Sequence, residues 1–383
     1  MKEHAEPLGA ETSSNIEALP GFGPAREPSQ YLQRLLAHAL RQQVSDIHLK
    51  TGAVPAVRLL GEIKAVSSLP KLGPDEMRQM ADFLMDDRER RIFSEQRQVD
   101  LAQGFPGVGR LRVSVFLQRG EIAMVMRLIE SRMPDPEVLR LPKALHTFSE
   151  LKRGMVLITG ATGSGKSTTL ATLIDLINRN HARHIITIED PIEFLFSDKR
   201  SIISQREVGL DTRSFPESLR AALRQDPDVI FIGELRDSET IATAIRAADT
   251  GHLVLSTLHA SNAQDTVSRL LSNFPPEEQP SLRRALAGNL RGVISQRLLP
   301  RADGSGRIGA HEVMVVTPTL RDMIEDPART SELSRVIKQG AQHGMIDFDD
   351  HLYALVQSGD ITADTALDNA TNLTDLRMRL EGY

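Results

Sequence analysis

Gly160-Ala161-Thr162-Gly163-Ser164-Gly165-Lys166-Ser167 spells G-x-x-x-x-G-K-S between a compact apolar run and an amphipathic stretch. Met155, Val156, Leu157, Ile158 and Thr159 read as a buried parallel strand, and Leu170, Leu173, Ile174 and Ile177 recur at helical spacing. Strand, glycine-rich loop and helix in that order form a phosphate-binding loop, so nucleotide is expected here. Backbone N–H groups must approach a phosphate chain closely, and glycines leave room for them. The helix N-terminus adds partial positive charge, and Lys166 can reach the β- and γ-phosphates. The Ser167 hydroxyl is placed to ligate Mg²⁺, and Thr168 follows it in the phosphate-binding run.

At 383 residues the chain is long enough for two domains with cores of their own. A formal net charge of -5 gives no support to broad nucleic-acid affinity. With no cysteine, disulfides, Cys-ligated zinc, iron-sulfur clusters and thiol catalysis are excluded. No signal-peptide core is present, and no apolar run approaches the about 20 residues of a membrane span, so no direct membrane insertion is expected.

Residues 1–30 carry Pro7, Pro20, Pro24 and Pro28 with no sustained periodicity, the pattern of a flexible extension. A mixed α+β domain is expected over 31–130. Tyr31, Leu32, Leu35, Leu36, Ala39 and Leu40 form a helical stripe, Asp46–Lys50 alternates like a strand, and strands are expected at 57–60 and 63–66 on either side of Gly61-Glu62. A helical region is expected from Pro74 to about Glu95. Leu111, Val113, Val115 and Leu117 alternate with Arg110, Arg112, Ser114 and Phe116, and a turn at Arg119-Gly120 leads to a returning strand that carries Arg127. Arg110 and Arg112 therefore share one strand face. They either solvate a sheet or, with Arg127, neutralise charge on a γ-phosphate as arginine fingers do.

Ser131-Arg132-Met133-Pro134-Asp135-Pro136 breaks both patterns and places a linker over 131–144. Over 145–383, apolar strands near 155–159, 184–188, 229–233 and 253–258 alternate with helical stretches. That alternation indicates an α/β domain with a largely parallel sheet covered on both faces.

Acidic groups gather at the strand ends. Glu189-Asp190-Pro191-Ile192-Glu193 follows the strand at 184–188, and carboxylates there can hold Mg²⁺ through water or orient an attacking water. Val229 to Gly233 ends on Glu234 like a Walker B strand, so the metal and water role falls to Glu234 with help from Glu189 or Asp190. His252 and His259 bracket another strand. Seven residues at about 3.3 Å each would hold them roughly 20 Å apart, which excludes a shared zinc. His259 is expected to sense the γ-phosphate; His252 belongs to the opposite end, to a subunit interface, or to a buried structural position.

Taken in order, these stretches resemble the secretion-ATPase superfamily, and within it the type IV pilus retraction motor ATPases of the PilT and PilU group. The resemblance runs from about Tyr31 to near the C-terminus. It adds Ser45-Asp46-Ile47-His48-Leu49, Gln205-Arg206-Glu207-Val208-Gly209, Leu223-Arg224-Gln225-Asp226-Pro227-Asp228, Gly233-Glu234-Leu235-Arg236-Asp237 and the Thr250-Gly251-His252 to Thr257-Leu258-His259 box. It implies a PAS-like N-terminal domain, a RecA-like P-loop ATPase domain with a helical C-terminal region, ATP and Mg²⁺ as ligands, and a homohexamer. Nucleotide would lie between the two domains, with Arg112 and Arg127 reaching it. The ring would work in the cytoplasm against an inner-membrane pilus platform protein, alone or beside a paralogous retraction ATPase.

The retraction motif A-I-R-N-L-I is represented by Thr319-Leu320-Arg321-Asp322-Met323-Ile324, which keeps the arginine and the last isoleucine. Gly344-Met345-Ile346-Asp347-Phe348-Asp349-Asp350 and Asp375-Leu376-Arg377-Met378 look more like the PilU branch, which implies an accessory role. The alternatives are a pilus-assembly or type II secretion ATPase and a RecA-like DNA-translocating motor. The first usually carries a tetracysteine zinc module, which this chain lacks; the second should show basic or aromatic DNA-contacting loops, and the acidic balance and the absence of Trp weigh against it.

Overall fold

The structure, a computed structural model, describes residues 31–382 apart from 33, 37–38, 40–41, 43, 60–61, 106–108, 130–132 and 134. The extension expected at 1–30 lies outside the described residues, as do Leu40, Leu60, Gly61 and, within the expected linker, 131, 132 and 134. The chain divides into two compact units, Met1–Glu130 and Ser131–Tyr383.

In the first unit, β1 (Val44–Lys50), β2 (Ala56–Leu59), β3 (Glu62–Ala65), β4 (Gln98–Phe105), β5 (Gly109–Gln118) and β6 (Glu121–Leu128) form one antiparallel sheet in the order β3-β2-β1-β6-β5-β4. The β5–β6 hairpin closes through Arg119 (φ 54°) and Gly120 (φ 82°), between paired Gln118 and Glu121. Positive φ at both central residues matches the right-handed twist of the strands. The expected stripe Tyr31, Leu32, Leu35, Leu36 and Ala39 is helical and buried with Ile47, Leu111, Val113, Val115 and Met126. The helical region expected from Pro74 to about Glu95 consists of two helices, Pro74–Leu84 and Asp87–Gln96. Asp86 starts the second: its carboxylate accepts from the Glu89 N–H, and the Glu89 carboxylate accepts from the Asp86 N–H, each at 2.7 Å. Such a reciprocal cap satisfies orphan donors that a continuous helix would not have.

The second unit has a seven-stranded sheet in the order β13-β12-β7-β11-β10-β8-β9. Its strands are β7 (Gly154–Thr159), β8 (His184–Glu189), β9 (Ile202–Glu207), β10 (Val229–Ile232), β11 (Leu253–Leu258), β12 (Leu290–Pro300) and β13 (Arg307–Val315). All neighbours are parallel except β12 and β13. The core of β7 is split: Met155 and Leu157 pack into one apolar cluster, Val156 and Ile158 into another. Successive side chains leave a strand on opposite faces, so the sheet has helices on both sides, the RecA-like arrangement. The expected strands β7, β8, β10 and β11 are present. β9, β12 and β13 are additional, and the antiparallel β13 makes the sheet mixed.

Candidate functional site

Four parallel strands deliver their carboxyl ends to one cleft. The loop after β7 brings Thr162, Gly163, Gly165, Lys166, Ser167 and Thr168; β8 and its sequel bring Glu189, Asp190 and Glu193; β10 brings Glu234 and Arg236; β11 brings His259. The cleft has a volume of about 460 Å³ and continues beside Phe194, Phe196, Phe215 and Phe231. Gly160, Ala161 and Ser164 line a neighbouring recess, which His259 also borders. An elongated ligand with a charged end and a flat apolar end matches such a lining.

The loop opens directly onto the helix Lys166–Asn180, whose N-cap Gly165 has φ 87°. An L side chain is strained there. Lys166 Nζ donates to the carbonyl oxygens of Gly160 (3.0 Å) and Ala161 (2.9 Å). Burial lowers its pKa, while the carboxylates of Glu234 and Glu193 act to raise it.

Glu234 is held at both oxygens. Arg236 Nε donates to Oε2 at 2.9 Å, and His259 Nε2 lies 3.2 Å from Oε1. Glu189 is only 6% exposed; its Oε1 accepts from Thr187 Oγ1 (2.6 Å) and Gln205 Nε2 (3.2 Å). Burial pushes its pKa up to about 7 in spite of those bonds. Gln205 also accepts from the Phe196 N–H and donates to the Phe194 carbonyl oxygen, each at 2.9 Å, so β9 fastens both Glu189 and the loop that follows it.

Ser167, Glu189, Asp190 and Glu234 offer hard oxygen donors to this cleft, but no three His, Cys, Asp or Glu side chains converge into a metal cage among the described residues. That donor set fits a cation with few protein ligands that is carried mainly by a ligand's own oxygens.

His252 lies at the amino end of β11, away from the cleft. Its Nδ1 is 2.9 Å from the Ala247 carbonyl oxygen and 3.2 Å from Thr250 Oγ1. Arg321, in the helix Pro318–Glu325, joins the far end too: its charge and that of Arg153, just before β7, act on Arg291 near the start of β12.

The three candidate arginines, Arg110, Arg112 and Arg127, sit on the sheet face opposite the apolar core of the first unit. Arg58, Asp46, Arg127 and Arg112 occupy one cross-strand row over β2, β1, β6 and β5. Asp46 accepts from Arg127 Nε at 2.8 Å. Burial alone would raise the Asp46 pKa; hydrogen bonds from Arg127 and Ser45, with the charges of Arg127 and Arg58, hold it below the ordinary carboxylate value. Arg112 faces Arg127 and forms no ion pair with a carboxylate among the described residues. Arg110, two positions along β5, shares its face.

A buried polar line ties the base of the loop to the helix Ala263–Ser272. Thr159 Oγ1 donates to Ser295 Oγ (3.0 Å), Ser295 Oγ lies 3.5 Å from Glu312 Oε1, and the Ala263 N–H donates to that oxygen at 2.7 Å. Burial pushes Glu312 up to about 7. The folded chain thus holds this proton more tightly than the unfolded chain, and the stability it contributes is lost as pH rises through about 7. Relative to Glu312→Gln, the unsubstituted protein is expected to lose about 3 kcal/mol between about pH 5 and about pH 8. Denaturant titrations at those pH values measure the difference, and a pH-independent difference would refute it.

Residue patterns alone did not find the aromatic lining, Thr187, or the β12 residues beside the loop. Gln205 stood in a matched motif without a role; its three bonds supply one.

A family model described as "Type II/IV secretion system protein" matches residues 26–351. The type IV pilus ATPase PilU of Pseudomonas aeruginosa is 40% identical over 91% of this chain and 91% of its own length. The type IV pilus retractation ATPase PilT of the same organism is 41% identical over 88% of this chain and 98% of its own length. Among solved structures, the pilus retraction motor PilT with bound ADP superposes with a TM-score of 0.84 at 43% identity, covering 90% of this chain and 98% of that one. With matches of that extent and a phosphate-binding loop in its expected setting, this chain belongs to the type II/IV secretion system protein family.

Proposed function

We propose that this protein is a hexameric motor ATPase that drives type IV pilus retraction, with residues 31–130 as a PAS-like domain, 131–144 as the linker and 145–383 as the ATPase domain. The convergence of Lys166, Ser167, Glu189, Glu234 and His259 on one cleft carries the reading. The likeness to a retraction motor bound to ADP supports it.

The loop N–H groups and Lys166 bind the phosphates of ATP. Ser167, with Glu189, Asp190 and Glu234 partly through water, would hold Mg²⁺, which when bound neutralises charge on the β- and γ-phosphate oxygens. Glu234 orients and deprotonates the attacking water, and His259, in contact with Glu234, reports whether the γ-phosphate is present. Arg112, which forms no ion pair with a carboxylate among the described residues, is the favoured arginine candidate for neutralising the transferring phosphoryl group. Arg127 is already engaged by Asp46.

No helix among the described residues is long and apolar enough to cross a membrane. A ring docked on a platform protein at the cytoplasmic face of the inner membrane accommodates that. The retained set of Lys166, Glu189, Glu234 and His259 favours a working ATPase over a passive ring subunit.

Two measurements test the proposal. Purified protein should hydrolyse ATP only with Mg²⁺, and DNA should not stimulate it; stimulation would favour a translocase. Cells lacking the gene should display labelled pili that persist without retracting, whereas loss of pili would point to assembly. Wild-type retraction in those cells would leave the accessory role, visible when the paralogous motor is also weakened.

A further inference from the structure

The phosphate-binding loop is shaped from outside its own motif. Ser295 of β12 pairs with Thr159 of β7, so the next residue, Gln296, comes to lie against the loop. Its side chain is buried, at 4% exposure. The Gln296 amide donates from Nε2 to the carbonyl oxygen of Ser164 and accepts at Oε1 from Thr169 Oγ1 at 2.9 Å. The first bond decides which end of the amide faces the loop: the Ser164 carbonyl oxygen can only accept, so the NH₂ group must face it, and the Thr169 hydroxyl, free to donate, holds Oε1.

This has a directional consequence. In a trans peptide the C=O and the following N–H point in opposite directions. Anchoring the Ser164 carbonyl on β12 therefore turns the Gly165 N–H away from β12 and toward the cleft that Gly165 lines. The approach is close enough that a Cβ on Gly165 would lie 3.0 Å from Gln296 Nε2. If the peptide between Ser164 and Gly165 rotated, it would present a carbonyl oxygen to a phosphate where an N–H donor is needed.

We propose that Gln296 is a positioning residue of the nucleotide site, holding the Ser164–Gly165 peptide so that its N–H faces a bound phosphate. This rests on the nucleotide-binding reading above. Gln296 touches the loop and never the reacting atoms, so its loss should weaken ground state and transition state alike.

The test uses the full-length protein with Gln296→Met, which keeps the length of the side chain without its hydrogen bonds, and Thr169→Val, which removes only the hydrogen bond that steadies the amide oxygen. Gln296→Met should raise the Kd for ADP and the KM for ATP about tenfold, with kcat within about twofold. Thr169→Val should move both constants about threefold in the same direction, and it decides the matter if Gln296→Met does not fold. Unchanged Kd and KM in folded variants, even with a lower melting temperature, would reduce Gln296 to a structural residue and overturn this proposal alone. Failure of the unsubstituted protein to bind ADP would overturn the nucleotide reading and this proposal with it.

Discussion

Glu234→Gln is expected to lower kcat for ATP hydrolysis by about two to three orders of magnitude while ADP affinity stays within about threefold. Glutamine keeps the size of the side chain and its acceptor oxygen but cannot take a proton from water. The carboxylate stands at the end of β10, 17% exposed, with one oxygen on Arg236 and the other 3.2 Å from His259 Nε2. The residue before it is closely packed. A Cβ on Gly233 would come within 3.3 Å of the Ile188 carbonyl oxygen, 3.5 Å of Glu189 Cα and 3.6 Å of Phe215. A side chain at the site where many P-loop proteins carry aspartate would thus need the Ile188 carbonyl to give by a few tenths of an ångström, and the acid stands at the next residue. Single-turnover hydrolysis measured beside ADP titration tests this; turnover near the unsubstituted rate would move the base to Glu189.

Lys166→Ala should be the more damaging change, lowering ADP affinity by about a hundredfold and kcat/KM for ATP by about a thousandfold. The amine ties the end of the loop back to the carbonyl oxygens of Gly160 and Ala161 at its start, so its removal deletes a cation and also a brace across the loop. Burial works against its charge, and the Glu234 and Glu193 carboxylates work to keep it. Calorimetric titration with ADP gives the first number and steady-state hydrolysis the second. Retained nucleotide binding in this variant together with intact turnover in Glu234→Gln would refute the assignment of the site.

Much of the site was legible in residue order because its parts lie at the ends of strongly apolar parallel strands. β7, β8, β10 and β11 are runs that no helix period fits; Glu189, Glu234 and His259 stand within a residue or two of the ends of such runs, and Lys166 closes the glycine-rich loop that follows β7. Parallel strands must all point the same way, so strand ends that are far apart in sequence meet at one edge of the sheet. The same logic set His252 apart from His259, and the structure puts them at opposite ends of β11. The division of the helical region near Asp86 was encoded as well, in a D-x-x-E cap whose meaning is local.

Other features had no local signal. β12 carries Ser295 and Gln296 in its buried stretch, and polar side chains there break the apolar run by which a buried strand is recognised. They are tolerated because Thr159, Glu312, Ser164 and Thr169 satisfy them from elements distant in sequence. The charged row on the first sheet is of the same kind. Alternation put Arg110 and Arg112 on one face, but only the β1–β6 pairing brings Asp46 to Arg127 and leaves Arg112 without an ion-paired carboxylate among the described residues. The phosphate-binding loop stands on both sides of this division. Its glycines, lysine and serine follow from backbone sterics and charge and can be read in eight consecutive residues. The direction in which its peptides face depends on a glutamine more than a hundred residues away, because a hydrogen bond acts through space and takes no account of distance along the chain.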